Sequence, residues 1–371
     1  MIRILHVLPR LRRGGSQALV MNLYRHIDKT KYQFDFIIFT NDKDDYYDEI
    51  LSLGGKVFHF HKFNGKNFFS IRKEWENFFR AHPEYRILHS HVRSFASIYI
   101  PVAKKNGVKT IIHSHSTSNG HGFKGFIKSI LEFPLRFQAD YLMACSKEAG
   151  IWLFGKKAIS KENYLFLPNA IDLKKFAFNY EKRLEVRKKL HIPLDSVVIG
   201  HVGGIEKPKN HVFLLSVFKK IMEFNKNSFL LLVGDGTLQK HIENLAVELN
   251  VSDKVLFLGN QASVYDFYSA FDILVFPSLW EGLPVTLVEA QASGLKCLVS
   301  NKITKDVLIS DCLEYKSLKE SPLSWAKRTI EILDENKHKD RHVFMKFGNY
   351  DLFDVDYATN CLLNFYEKII N

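Results

Sequence analysis

Two glutamates, Glu281 and Glu289, flank a Gly-Leu-Pro turn in the segment Phe276-Pro-Ser-Leu-Trp-Glu-Gly-Leu-Pro-Val-Thr-Leu-Val-Glu-Ala-Gln-Ala-Ser-Gly294. The pattern predicts a strand ending at Phe276, a loop, and a helix whose first residue is Pro284, where the missing proline N–H costs nothing. The backbone amides of Leu283, Val285 and Thr286 then stand at a helix N-terminus, which suits a diphosphate. Glu281 lies in the loop before that helix and Glu289 roughly a turn and a half inside it. One carboxylate can therefore face a sugar while the other reaches ribose hydroxyls. A glutamate pair alone would read as the solvated flank of an ordinary strand–loop–helix; the Gly-Leu-Pro between the two and the Ala-Ser-Gly after them favour a binding loop.

Other residues could serve the same chemistry. Lys207 and Lys209 fall in Gly203-Gly-Ile-Glu-Lys-Pro-Lys-Asn, which reads as an anion clamp or as an exposed loop. Gly14-Gly15 follows the apolar run Ile2–Leu8, and such a turn lets backbone approach a phosphate closely. His113-Ser-His115 follows the run Thr110–Ile112 at its carboxyl end, where open α/β sheets bind ligands. His115 is the candidate there and His113 reads as its structural neighbour. His89-Ser-His91 has a similar form, and the two pairs together would allow a metal site. With 16 histidines in the chain such pairs arise by composition, and no metal is expected. Asp44-Asp45 imitates an Asp-x-Asp metal motif but lies in the polar loop Asn41–Tyr47 and reads as solvated.

The elements that must position these residues alternate from the first residue. Ile2–Leu8, Phe34–Phe39, Ile87–His89, Thr110–Ile112 and Tyr141–Ala144 read as buried strands, with Ser16–Ile27, Ile71–Ala81 and Ser97–Asn106 helical between them. After Leu167-Pro-Asn-Ala-Ile-Asp172 and a charged stretch the rhythm restarts. Strands are expected at Val197–Val202, Phe229–Val233, Val255–Phe257, Ile273–Phe276 and Lys296–Val299, with helices at His211–Phe224 and Leu238–Leu249. Ala358–Ile370 closes the chain as an amphipathic helix with Cys361, Leu362, Phe365 and Ile369 on one face. This is an α/β chain of two doubly wound domains. The expected domains are residues 1–172, joined by the closing helix 355–371, and residues 173–354. If the carboxyl ends of the two sheets face each other, the site is an interdomain cleft.

The chain has 371 residues and 46% hydrophobic content. Its net charge of +12 is uneven: residues 1–180 hold 28 Lys/Arg against 15 Asp/Glu, and the remainder 24 against 25. Such asymmetry points to an anionic partner on the first half. Cys145, Cys297, Cys312 and Cys361 have no CxxC or zinc-ligand spacing, as expected of reduced thiols in a cytoplasmic protein. Apolar runs fall short of the roughly 20 residues a membrane span needs, and the opening run Met1-Ile-Arg-Ile-Leu-His is expected to be a strand and not a secretory signal.

The Glu281–Glu289 segment resembles the signature of family-four retaining glycosyltransferases with the GT-B fold, and most closely their bacterial exopolysaccharide and capsule members. Arg12-Arg-Gly-Gly-Ser-Gln17 resembles that family's glycine loop, and Pro168-Asn-Ala-Ile-Asp172 its segment before the second domain. Val233-Gly-Asp-Gly236 and Phe257-Leu-Gly259 match turns after donor-domain strands, bringing Gly234 and Leu258 into the candidate site. The resemblance implies that Glu289 binds the ribose, and that Glu281 with the amides of Gly282 and Leu283 holds the sugar and phosphates. It further implies that Lys209 neutralises the leaving diphosphate and that His115 lies near the reacting sugar. Gly14, Gly15, Gly203, Pro284 and Val285 complete the donor contacts. Many relatives carry Arg where this chain has Gly204, so one guanidinium is missing and Lys207 is its candidate substitute. The resemblance implies no obligatory cofactor or metal.

The function so implied is transfer of a hexose or N-acetylhexosamine, with retention, from a nucleotide sugar (a UDP-sugar by resemblance) to a lipid-linked or oligosaccharide acceptor in bacterial surface polysaccharide biosynthesis. A nucleotide-sugar epimerase or a glycan phosphorylase shares the architecture, but epimerases lack the Glu–Glu segment and a phosphorylase would require phosphate. A nucleic-acid binder would use the basic half, yet no helix-turn-helix, zinc finger or RNP-like run is present, and no nucleic-acid partner is expected. The aromatic, basic stretch from Gly122 to Phe137, with Lys124, Lys128 and Arg136, reads as a helix lying on an anionic membrane surface, placing the protein peripherally at the inner face of the cell membrane. Lys66 to Arg80, with Phe68, Phe69, Trp75, Phe78 and Phe79, is a second candidate.

Overall fold

The computed structural model describes residues 1–116, 123–337, 340–341 and 350–371, without the side chains of 123 and 124. The chain forms two compact units, Met1–Ile171 with Asp351–Asn371, and Asp172–Tyr350.

The first unit is built on a parallel seven-stranded sheet in the order β3-β2-β1-β4-β5-β6-β7. Its strands are β1 (Ile2–Val7), β2 (Tyr32–Ile38), β3 (Val57–His59), β4 (Ile87–Ser90), β5 (Lys109–Ser114), β6 (Tyr141–Ala144) and β7 (Tyr164–Phe166). All seven residues of β2 are buried, as a strand covered on both faces requires. On one face Ile4, Phe34, Phe36, Ile87, Ile111 and Met143 pack into a core shared with the helices Gly15–His26 and Val355–Ile370. The last helix is fastened by backbone bonds from Ile171 N to Phe353 O (2.9 Å) and from Val355 N to Ile171 O (3.0 Å). Because β1 lies between β2 and β4, the strand order reverses there, and the carboxyl ends of β1 and β4 flank a switch point where such sheets bind ligands. Segment 351–371 adds four acids and one lysine, so the first unit nets +9 and the second +3.

The second unit has a parallel six-stranded sheet in the order β10-β9-β8-β11-β12-β13. The strands are β8 (Val197–Val202), β9 (Ser228–Val233), β10 (Val255–Gly259), β11 (Ile273–Phe276), β12 (Cys297–Ser300) and β13 (Leu313–Lys316). Ile199, Leu230, Leu232, Ile273, Val275 and Leu298 form its core with Leu214, Phe218 and Trp325. The charged helix Tyr180–Lys189 is anchored by Arg187, fully buried, which donates to Ala270 O (2.9 Å), Ser196 O (3.0 Å) and Asp272 (2.8 Å). Here the order reverses at β8, between β9 and β11, so the loops leaving β8 and β11 border the second switch point.

The edge strands β3, β7 and β13, of three or four residues each, do not stand out in the sequence. An edge strand that short offers too little alternation to register as a period. The helix expected at Ile71–Ala81 begins three residues earlier, at Phe68.

Candidate active site

At the carboxyl end of the second sheet, the loop after β8 is held against the loop after β9. Gly203 N donates to Val233 O (2.9 Å) and Ile205 N to Asp235 O (2.8 Å). Glu206 accepts from Thr237 N (2.8 Å) and Thr237 Oγ1 (2.7 Å). Gly203 and Gly234 have φ of 149° and 136°, a region that costs other residues strain. A Cβ on Gly234 would stand 2.3 Å from Gly203 O. From the other side, Leu279 N donates to Pro208 O (2.7 Å) and Asn210 Nδ2 to Pro277 O (3.1 Å), tying the loop after β11 to the loop after β8.

That stapling brings Lys209 and Glu281 together: Lys209 Nζ lies 2.7 Å from Glu281 Oε1, both side chains largely buried. The ammonium also sits 4.7 Å from the centroid of the Phe276 ring, a favourable cation–π placement. Cβ of any residue at 203 would approach Lys209 Cε to 2.8 Å, so the absence of a side chain at Gly203 leaves the lysine its path.

Pro284 is not the first helical residue. It is the N-cap, in extended conformation (ψ 100°), and the helix runs Val285–Ala292. Its carbonyl accepts from Leu287 N (3.0 Å), so proline here shapes the entry rather than the first turn. Val285 and Thr286 occupy the opening positions, whose amides have no acceptor within the helix and favour an anion. Leu283 is buried and Gly282 half-buried before it.

Glu289 lies inside the helix and accepts a hydrogen bond from Tyr268 Oη (2.5 Å). Burial pushes its carboxyl up to about 7, while the Tyr268 hydrogen bond and the Lys209 charge oppose the rise. Tyr268, on the helix Val264–Ala270, is a residue that the motif reading missed; it lies in no motif, and only the fold brings it to Glu289. Leu258 is half-buried near the end of β10, beside the contact between Gly234 N and Gly259 O (2.9 Å). Lys207 is exposed while Lys209 is paired, so the two lysines are not equivalent. At Gly204 a Cβ would meet Asp235 O at 3.3 Å, a contact that a small shift relieves.

In the first unit, Gly14 caps the helix Gly15–His26 in ordinary extended conformation (φ −168°, ψ 166°), so its backbone does not demand glycine. Around Gly15 the nearest atom to an added Cβ is 4.0 Å away, leaving the helix N-terminus open. Asp45 is exposed, as expected, but Asp44 is not solvated. Asp44 accepts from Arg10 (2.7 Å) and Leu11 N (3.1 Å), Asp45 accepts from Arg13 N (2.8 Å), and both brace the loop after β1. The Arg10 hydrogen bond, above all, holds the Asp44 carboxyl low.

His115 follows β5, and its Nε2 is 2.8 Å from His91 Nδ1. His91 Nε2 is 3.1 Å from His6 Nδ1, and His89 Nε2 is 3.3 Å from His113 Nδ1. His89 Nδ1 in turn meets Tyr366 Oη at 2.6 Å. Burial holds all five imidazoles neutral, with His115 lowered to about 3. His6 is a second residue the sequence reading missed.

Of the two aromatic, basic stretches, the one from Lys66 to Arg80 buries its apolar side: Ile71, Trp75, Phe78 and Phe79 are buried, and of its large apolar residues only Phe68 and Phe69 are exposed. The other is exposed. In the helices Phe123–Glu132 and Leu135–Gln138 and the turn between them, Phe126 (63%), Ile130 (55%), Phe133 (56%) and Phe137 (74%) face solvent, and Lys128 is exposed as well. Arg136 stacks over Phe133 at 4.5 Å. Gly122 and the side chain of Lys124 lie outside the described residues. Among the described residues no helix is long and apolar enough to cross a membrane.

The family described as "Glycosyl transferases group 1" matches residues 182–346, and "Glycosyltransferase Family 4" matches residues 13–175. EpsF of Bacillus subtilis (strain 168), whose name places it among glycosyltransferases, is 36% identical over 370 residues, covering 98% of this chain and 96% of that protein. The UDP-Gal:alpha-D-GlcNAc-diphosphoundecaprenol alpha-1,3-galactosyltransferase of Escherichia coli is 30% identical over 229 residues, covering 59% of this chain and 58% of its own. The crystal structure of Anabaena Alr3699/HepE in complex with UDP shares the fold, with a TM-score of 0.79 at 16% identity over 99% of this chain and 100% of that one. Two parallel Rossmann-like sheets, a family match on each and a full-length relative establish that the chain belongs to the family-four glycosyltransferases of GT-B fold and is a transferase enzyme.

Proposed function

We propose that the chain transfers a hexose or N-acetylhexosamine from a UDP-sugar to a lipid-linked or glycan acceptor in the assembly of a bacterial surface polysaccharide. The donor binds the second unit. Glu289 accepts from the ribose hydroxyls, the amides of Gly282, Leu283 and Val285 take the diphosphate, and Glu281 orients the sugar. Lys209 neutralises the charge that develops on the leaving diphosphate, the kind of contact that matters most in the transition state. Gly203, Gly234 and Leu258 shape the wall of that site, and the exposed Lys207 adds charge from solvent. Gly14, Gly15 and His115 act from the first unit, which carries the acceptor. Attack from the face that the diphosphate leaves retains the anomeric configuration. The exposed Phe126, Phe133 and Phe137 with Lys128 dock the first unit on an anionic membrane where a lipid-linked acceptor resides.

The observation that carries this reading is the Lys209–Glu281 pair, fixed beside a helix N-terminus at the switch point of the second sheet, with Glu289 on the same helix. The galactosyltransferase of Escherichia coli, whose name includes a UDP-sugar and a diphosphoundecaprenol acceptor, and the UDP complex of HepE support uridine and a lipid-linked acceptor. Calorimetry of the full chain against UDP, GDP, ADP and their common sugars tests it. Binding confined to uridine compounds and lost in Glu289→Ala is expected. Unchanged affinity in that variant would remove the ribose assignment, and no nucleotide binding at all would remove the donor site.

A further inference from the structure

His6, His89, His91, His113 and His115 alternate with apolar residues on the face of the first sheet that the helices Gly15–His26 and Val355–Ile370 cover. His6 is beside His89 in register, and His91 and His115 lie just past the ends of their strands. Five imidazoles in an otherwise apolar core need a physical reason, because each buried polar ring costs free energy unless its nitrogens are satisfied.

We propose that His91, His113 and His115 bind one divalent transition-metal ion of the zinc class, with His6, His89 and Tyr366 orienting the ligands from behind. The three ligands each offer a ring nitrogen within 4.8 Å of the others. His91 Nδ1 and His115 Nε2 are already 2.8 Å apart, and a tetrahedral zinc–imidazole site needs an N···N edge of about 3.3 Å, from Zn–N bonds of about 2.0–2.1 Å. His113 commits Nδ1 to His89, and its Nε2 is buried with no hydrogen-bond partner.

One assignment of tautomers accounts for every contact within the cluster with each imidazole neutral, leaving the Nε2–H of His6 and the Nδ1–H of His115 buried without a partner. His91 carries its proton on Nε2 and donates to His6 Nδ1. His113 carries its proton on Nδ1 and donates to His89 Nε2, and His89 Nδ1–H donates to Tyr366 Oη. That leaves the lone pairs of His91 Nδ1, His113 Nε2 and His115 Nε2 for the ion, and no proton has to leave. The outer histidines then do what outer partners of metal sites do, fixing tautomer and ring orientation. Burial keeps the ligands in the unprotonated form that ligation requires. The three ligands come from the carboxyl ends of β4 and β5, and His115 is only half-buried, so a fourth position open to water or a substrate oxygen is on the exposed side. Imidazole ligands select zinc, cobalt or nickel over magnesium and calcium.

The inference shares His115 with the proposed function, but its test needs no donor, so the two can fail separately. Untagged full-length chain is stripped with chelator and titrated with Co²⁺, then Zn²⁺, with Mg²⁺ as a control. One equivalent of Co²⁺ is expected, with the visible bands of a four- or five-coordinate site, displaced by Zn²⁺ and untouched by Mg²⁺. X-ray absorption of the zinc-loaded chain is expected to show three imidazole nitrogens. His91→Ala and His113→Ala should abolish the equivalent, and His6→Phe should weaken it by about 10–100-fold. No stoichiometric uptake by the wild-type chain, or uptake unchanged in both alanine variants, overturns the proposal. If those variants fail to fold, the wild-type absorption spectrum decides, and sulfur ligands or fewer than three imidazoles overturn it.

Discussion

Lys209 Nζ rests 2.7 Å from Glu281 Oε1, a pair preformed by two loops that are themselves stapled to each other. The lysine is therefore aimed before any donor arrives, and in the proposed reading a diphosphate entering at the Val285 helix terminus competes with Glu281 for it. A group positioned this way contributes most where charge grows, in the transition state. Lys209→Met is expected to lower kcat by about 10²–10³-fold with a much smaller change in UDP affinity, read by steady-state kinetics beside calorimetry. A loss of affinity with kcat intact would assign the lysine to ground-state binding instead.

With Glu289 on the ribose, as proposed, the donor site acquires a pH dependence. Its carboxyl is raised to about 7 by burial, so near neutrality it is shared between acid and carboxylate, whereas ribose hydroxyls need the carboxylate as acceptor. Donor affinity should therefore fall as the pH drops through about 7, by up to about tenfold per unit, and level off above it. Calorimetry between about pH 6 and 8 in buffers of different ionisation enthalpy reads the proton released on binding. Glu289→Gln should bind more weakly and without that slope; a slope surviving in the variant would belong to another group.

The two glycine turns beside the lysine differ in a testable way. Gly234 combines φ of 136° with a Cβ site 2.3 Å from backbone, so Gly234→Ala should cost about 1–3 kcal/mol or more of stability through strain alone. Gly204 has room, with its closest contact at 3.3 Å. Gly204→Arg should fold normally and tighten UDP by about tenfold, the value of a charged hydrogen bond of about 1.5–3 kcal/mol less its ordering cost. Thermal unfolding and UDP calorimetry on both variants check this; a destabilised Gly204→Arg chain would mean that the loop cannot accept the side chain.

Much of this architecture was legible in the sequence because parallel strands covered on both faces appear as apolar runs: β6, β8 and β11 have the bounds expected of them. The edge strands β3, β7 and β13 were not, for want of length. Local structure is legible where it is contiguous, as in the strand end at Phe276 and the loop that leads to the helix Val285–Ala292. Tyr268 and His6 were invisible because each meets its partner across the fold, 21 and 85 positions away. Asp44 looked solvated because its partner Arg10 is 34 positions distant. Pro284 was misplaced by one position because proline suits both the N-cap and the first turn, and only its ψ separates them.

The exposed aromatic face is the last feature open to a direct test. Phe126, Phe133 and Phe137 are more than half exposed, an arrangement that a globular surface rarely keeps without a partner. Lys128, exposed on the same helix, adds attraction to anionic lipid, worth about 1 kcal/mol per basic residue near the surface. The full chain should sediment with phosphatidylglycerol vesicles and release as salt rises, because the charge contribution is screened. Phe126→Ser with Phe137→Ser should weaken vesicle binding by at least about tenfold, since each buried phenyl contributes about 1.5–3 kcal/mol, while UDP affinity stays unchanged. Neutral vesicles bound as tightly as anionic ones would leave the apolar face and remove the charge from the argument; vesicle binding undiminished in the double variant would remove the face itself.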